Sequence, residues 1–187
     1  MTALVRLAGP VREPLLLDEI KAHLRIEHAD EDGLLDGMRV AVRVAVEDFL
    51  RRALIEQRWQ RVLDRWPDSA VSLPRPQLLD VTEIRTAQAD GQTTVVSPEV
   101  YRVENRAEPG FLLPRPGQRW PEPEVAHAGI EIDYTAGYGS DWNAVPGPIR
   151  QAMLILLASY YENRADTPPQ IHGTVRSLLA PYRMMSL

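Results

Sequence analysis

The sequence contains no cysteine, which excludes disulfides, thiol nucleophiles and every cysteine-bearing zinc or iron–sulfur site. Lysine is almost absent: Lys21 stands alone against 20 arginines, and the planar arginine fork suits protein contacts better than a mobile ammonium does; the codon bias of a GC-rich genome is the plain alternative. There is no run of about 18 apolar residues, the length a membrane-spanning helix requires, so no membrane partner is expected. Residues 1–14 hold charge and proline but no apolar stretch followed by small residues, so no secretory leader is expected, and intracellular synthesis is. Positive charge is in deficit too. A net charge of −5 disfavours a protein that grips nucleic acid, because such binding draws on basic side chains neutralising phosphates. With four histidines, metal chemistry would rest on these and on carboxylates.

What is present is globular composition: 187 residues, 44% hydrophobic and 25% charged, enough for one domain, or one domain with an insertion. Residues 120–147 carry five acids and no arginine or lysine. From residue 148 the sign reverses, with Arg150, Arg164, Arg176 and Arg183 against Glu162 and Asp166. Stretches of opposite sign can attract each other between subunits; a solvated acidic loop is the plain alternative.

Apolar spacing predicts a short helix over residues 18–28, with Ile20 and Leu24 on one face and Asp18 and Glu19 in its first turn. A second helix over residues 32–54 follows from Leu35, Met38, Val42, Ala45, Phe49 and Ala53 at alternating spacings of three and four. Its other face holds Arg39, Arg43, Glu47, Asp48, Arg51 and Arg52, a charged surface open to water or to a neighbouring subunit. After Leu54 the period becomes two. Strands are expected within residues 59–63, 71–73, 81–87, 93–96, 101–103, 111–113 and 129–134, with a hairpin turn at Asp90-Gly91. Prolines at 67, 74, 76, 98, 109, 114, 116, 121 and 123 argue for edges and loops, hence a small sheet. Helix returns at Pro148 through Ile149, Ala152, Met153, Leu156, Leu157 and Tyr160, and again over residues 174–180 up to Pro181.

The expected fold is therefore α+β: a helical bundle of two N-terminal and two C-terminal helices with a small antiparallel β insertion. Its parts are residues 1–56 (helical), 57–145 (β-rich) and 146–187 (helices and tail). The tail, with Tyr182, Arg183, Met184, Met185 and Leu187, mixes an arginine with apolar side chains at a chain end and reads as a docking peptide.

Residues with catalytic potential do not gather in any familiar spacing. His127, Asp133 and Asp141 are the best set for a hydrolase or metal enzyme, since histidine and carboxylates carry protons and bind hard metals. His23 and His28 lie five apart and do not share a helix face as a zinc pair would, and His172 stands alone. The glycines after Tyr134 match neither phosphate-loop nor dinucleotide patterns and suit a sharp turn out of a strand. No catalytic residue, metal or cofactor is expected.

Several segments in order carry a resemblance. They are Leu15-Leu-Leu-Asp-Glu-Ile-Lys-Ala-His-Leu-Arg-Ile with acids at Asp30, Glu31 and Asp32, then Val46-Glu-Asp-Phe-Leu-Arg-Arg-Ala-Leu-Ile, and Leu73-Pro-Arg-Pro. Further on come Asp133-Tyr-Thr-Ala-Gly-Tyr-Gly, the block Ile149-Arg-Gln-Ala-Met-Leu-Ile-Leu-Leu-Ala-Ser-Tyr-Tyr-Glu-Asn-Arg, and Val175-Arg-Ser-Leu-Leu-Ala-Pro-Tyr-Arg. Together they resemble the phage head-to-tail connector (adaptor) family, in its larger phiE125-type version, which also occurs in gene transfer agents.

The resemblance implies a non-enzymatic subunit of a dodecameric ring in the neck of a phage or phage-like particle. One side would meet the portal protein, with the tail from Tyr182 docking there, and the other a stopper or tail protein. Double-stranded DNA would pass through without specific binding, since a negative wall repels the duplex and lets it slide. Arg39, Arg43, Glu47, Arg51, Arg150, Arg164, Glu131 and Asp133 are the candidates for contacts between subunits. The alternative is another neck or tail-completion protein of the same particle.

Overall fold

In a computed structural model, residues 2–163, 170–171 and 173–184 are described. Among them are eight strands and four α-helices: β1 (Thr2–Ala8), α1 (Leu17–Leu24), α2 (Asp32–Leu50), β2 (Gln57–Leu63), β3 (Val71–Leu73), β4 (Leu78–Ala87), β5 (Thr93–Val95), β6 (Tyr101–Glu104), β7 (Gly110–Pro114), β8 (Ile130–Ala136), α3 (Gly147–Glu162) and α4 (Gly173–Leu179). They sort into two compact units, residues 1–9 with 56–137 and residues 10–55 with 138–187.

The first unit corrects the expected architecture. The class is α+β, but the β part is not a small insertion in a helical bundle. It holds two antiparallel sheets, one of five strands in the order β1-β2-β8-β4-β5 and one of three in the order β3-β7-β6. The five-stranded sheet takes its edge strand from the start of the chain, where Thr2–Ala8 pairs along β2 from Leu63 to Arg58. The prolines bracket the strands instead of interrupting them: Pro67, Pro74, Pro76, Pro98 and Pro109 fall in connections, and Pro114 ends β7.

Each sheet buries one face. On β8, Ile130, Ile132, Tyr134 and Ala136 are buried, and on β2 so are Gln57, Trp59 and Leu63. In β4 the buried residues Leu78, Val81, Ile84 and Thr86 are spaced three, three and two. Register shifts between Leu78 and Asp80 and between Val81 and Glu83 explain this, since each extra residue rephases the strand and keeps its apolar side chains on the covered face. The sheets meet where the Tyr134 hydroxyl donates to the carbonyl of Pro74 at 2.8 Å. Burial pushes the Tyr134 pKa well up. Trp66 and Trp120 stack with centroids 4.1 Å apart, and Trp66 donates its indole N–H to the Pro121 carbonyl at 2.8 Å.

The second unit contains the helices. Its core joins Leu15, Ile20, Leu35, Val42, Val46, Leu50, Leu54 and Ile55 to Ile149, Met153, Leu156, Leu157, Val175 and Leu179. Both early helices stop sooner than their apolar spacing suggests, and for one reason. Arg25 and Arg51 each adopt a left-handed conformation at φ 57°, and the chain closes back with Ile26 N–H on the Lys21 carbonyl and Arg52 N–H on the Glu47 carbonyl. The 19 residues of α2 thus span about 28 Å. Helix α3 starts with Pro148 in its first turn, where the missing N–H costs nothing. Upstream, a single 3₁₀ turn, Trp142–Ala144, is capped by Asp141, whose Oδ1 accepts the Trp142 N–H at 2.8 Å. Gly139, at φ +156°, sits so close to Ala144 that an added Cβ would lie 2.9 Å from its methyl.

Candidate functional surfaces

Six of the eight charged side chains read as contact residues are engaged inside the chain: Arg39, Arg43, Glu47, Arg150, Glu131 and Asp133. Arg43 of α2 is buried, donating from Nε to Glu13 Oε2 at 2.8 Å and from Nη1 to Glu47 Oε2 at 2.9 Å. The second oxygen of Glu47 accepts the Leu54 N–H at 3.0 Å, so one carboxylate fastens both the arginine and the loop beyond the helix. Burial works against the Arg43 charge, but the bond to Glu13 and the field of Glu47 outweigh it and raise the pKa above an ordinary arginine's. Arg39 donates to the Leu15 carbonyl at 3.1 Å and pairs with Asp36 at 2.5 Å. Segment 13–15 therefore lies along the charged flank of α2 and covers it. Arg51 is exposed at the helix end.

Arg150 of α3 donates to Glu19 of α1 at 2.6 Å and to the Pro14 carbonyl at 3.2 Å, with its guanidinium 4.4 Å from the centre of the Trp142 ring. It ties α3 to α1 and to the segment before it. Arg164 lies outside the described residues.

On the other unit, Glu131 and Asp133 point away from the sheet interior and converge on Arg85 of β4. Arg85 Nη2 reaches each at 2.9 Å, and Nη1 reaches Glu83. Gln60 of β2 donates to Asp133 at 2.9 Å and to Glu131 at 3.3 Å. Despite the cost of partial burial, bonds to Glu131, Glu83 and Asp133 lift the Arg85 pKa above the ordinary arginine range. Nothing in the sequence marked Arg85 or Glu13 for these roles; Glu13 meets Arg43 across 30 residues, and Arg85 meets Glu131 and Asp133 across 46 and 48, beyond any local spacing.

The tail is partly anchored. Arg52 donates to the Tyr182 carbonyl, the Met184 N–H donates to the Leu50 carbonyl at 3.0 Å, and Arg183 lies 5.1 Å from the centre of the Phe49 ring. Met185 and Leu187 lie outside the described residues, as does His172.

The set with catalytic potential does not assemble. His127 lies 3.9 Å from Asp64, Asp133 belongs to the Arg85 network, and Asp141 pairs with Arg12 at 3.1 Å. Among the described residues no three histidine, aspartate or glutamate side chains stand where they could hold a metal. A hollow of about 790 Å³ is lined by Thr2, Arg61, Asp64, Arg65, Trp66 and Asp68. There Arg61 buries Nε and Nη1 without a hydrogen-bond partner among the described residues, and burial lowers its pKa. No helix is long and apolar enough to cross a membrane among the described residues.

Residues 15–89 match the family of phage gp6-like head-tail connector proteins. Nearly the whole chain superposes on a chain from the neck of an empty gene transfer agent particle computed with C6 symmetry. The TM-score is 0.84 at 27% identity, covering 99% of this chain and 97% of that one. Over residues 15–89 the chain is similar to the phage head-tail connectors, and over nearly its whole length to a neck chain of a gene transfer agent particle. A chain from the virion of a native gene transfer agent particle matches this chain with a TM-score of 0.81 at 27% identity, over 98% of this chain and 96% of that one. A third, from the neck of a native particle computed with C12 symmetry, gives 0.80 at 27% identity over 99% and 97%. No curated protein matches the chain.

Proposed function

We propose that this protein is a structural connector subunit that closes into a ring in the neck of a tailed phage or gene transfer agent particle, between portal and tail. The carrying observation is the end-to-end superposition on a neck chain, with 99% of this chain covered at a TM-score of 0.84. The C12 symmetry of a similar neck supports twelve copies per ring. Each contact between copies can then be modest, because ring closure makes the later contacts intramolecular.

The portal is the partner on the head side, and the segment from Tyr182 to Leu187 contributes to that contact. Since Tyr182, Arg183 and Met184 already grip the end of α2, the reach toward the portal falls to residues 185–187. A stopper or tail protein occupies the opposite side, and DNA passes through without base contacts, in keeping with the net charge of −5.

Deleting the gene from a producing strain tests this reading. Filled heads and free tails that fail to join are the expected result, restored by the gene supplied in trans; complete infectious particles without the subunit would overturn it. Removing residues 185–187 should leave the melting curve unchanged and abolish co-purification with portal, and retained binding would discard the docking role of the tail.

A further inference from the structure

Successive residues of a helix are rotated by 100°. In α2, Leu35, Met38, Val42, Val46 and Leu50 set the face turned into the core. The line opposite to it runs through Gly33, Gly37, Val40 and Val44. A helix with one face in a core normally turns charge toward water on the other. Here the charges of the first four turns, Asp32, Asp36, Arg39, Arg43 and Glu47, sit on one flank and bind each other, Lys21, Glu13 or the Leu15 carbonyl. The outward line carries none until Asp48.

That line is also open. Val40 and Val44 are 39% and 37% exposed, and Leu34 beside them is 41% exposed. A Cβ added at Gly33 or Gly37 would meet nothing within 4 Å. Glycine is unfavourable within a helix, and nothing among the described residues occupies the space that Gly37 leaves.

We propose that this face of α2 packs against a second copy of the chain, with Gly33 and Gly37 admitting the neighbour close to the helix backbone and Val40 and Val44 buried in the contact. The inference rests on the ring reading above and names the surface that reading leaves open. The occupant follows from chemistry and symmetry. Passing DNA would call for basic groups or a hydrated, charged wall, and this line has neither. A ring of more than two copies joins each subunit to its neighbours through two different patches of its own surface. An uncharged face can serve as one of them without stranding a buried charge.

The test uses the full chain. Wild type, Val40→Asp/Val44→Asp and Gly37→Gln are compared for melting by circular dichroism, and for ring incorporation on portal-bearing heads by negative-stain imaging and quantitative blotting. The aspartate pair should melt within a few degrees of wild type, because both side chains are exposed in the free chain, while incorporation falls at least ten-fold. Gly37→Gln should melt at or above wild type and also lose incorporation, which carries the test if the aspartate pair fails to fold.

Wild-type rings already formed should persist in roughly 1 M salt, where charge contacts are screened beyond about 3 Å; dissociation there would overturn the apolar contact. Incorporation of both variants at the wild-type level would overturn the assignment of this face and leave the connector reading standing. A wild-type chain that never joins heads would instead sink the connector reading, and this inference with it.

Discussion

Replacing Arg43 by alanine removes the cation held between two carboxylates. The Arg43 and Glu47 side chains are each 6% exposed and Glu13 is 14% exposed, so the two acids are left facing one another with little water to screen them. Glu47 keeps the Leu54 N–H, but nothing shown in the wild-type contacts replaces the guanidinium for Glu13. Removing one partner of a buried ion pair costs about 3–5 kcal/mol. At about 2–4 °C per kcal/mol for a chain of this length, the melting temperature should fall by about 6–20 °C. Circular dichroism melts and urea titration would both read this. The combined variant Glu13→Gln/Arg43→Met/Glu47→Gln tests the cause, since it removes all three charges and leaves an amide oxygen at position 47 to accept the Leu54 N–H. It should recover more than half of the loss. A cost below about 1 kcal/mol for Arg43→Ala, the range of an exposed pair, would refute the idea that this triad fastens segment 13–15 to α2.

Three further outcomes are expected. Tyr134, whose pKa burial raises, should stay protonated while ordinary tyrosines ionise near pH 10. The unfolded chain therefore releases this proton first, and the stability it reflects, complete below about pH 10, is lost as pH rises toward the folded value. An ultraviolet titration should show a tyrosine fraction that ionises only with unfolding, and full ionisation in a folded protein would contradict this. Gly139→Ala should cost about 1–3 kcal/mol from its φ and the Ala144 clash, partly recovered by Ala144→Gly, in chemical denaturation. Arg85→Met leaves Glu83, Glu131 and Asp133 without their shared cation, so it should melt lower than wild type, with a gap that narrows as salt is raised. A gap independent of salt would mean that packing, not charge, is what Arg85 supplies.

Local periodicity carried much of the element order. The alternation around Trp59 marked β2, the Asp90-Gly91 pair marked a turn that the structure closes between Gln88 and Gln92 with Gly91 at φ 84°, and Pro148 marked the start of α3. Strand β1 was not legible. Its apolar side chains Leu4, Val5 and Leu7 are exposed, at 37–44%, on an edge strand with no covered face to impose alternation. The extent of the sheets was underestimated for a related reason: proline forbids an interior position in a ladder, but says nothing against a strand on either side of it.

The charged flank of α2 shows a subtler limit. A helical wheel separates apolar from charged residues, and the natural reading sends the charge to water. Whether it goes there depends on what covers the flank, and here that is segment 13–15, a piece of chain without a period of its own. Glu13 lies 30 residues from Arg43, and no spacing rule links them. Most of the residues that looked like contacts between subunits, Arg39, Arg43, Glu47 and Arg150 among them, are thus already bound within the chain, while Gly37, Val40 and Val44 look unremarkable in sequence and become conspicuous only once the core direction is fixed. Under the ring reading proposed above, a subunit that folds before it joins its neighbours gains from that division. Its ion pairs settle inside the chain, where they fix segment 13–15 and the end of α2. The uncharged line opposite the core stays small enough not to promote aggregation, and acquires its full effect when many copies close on one another.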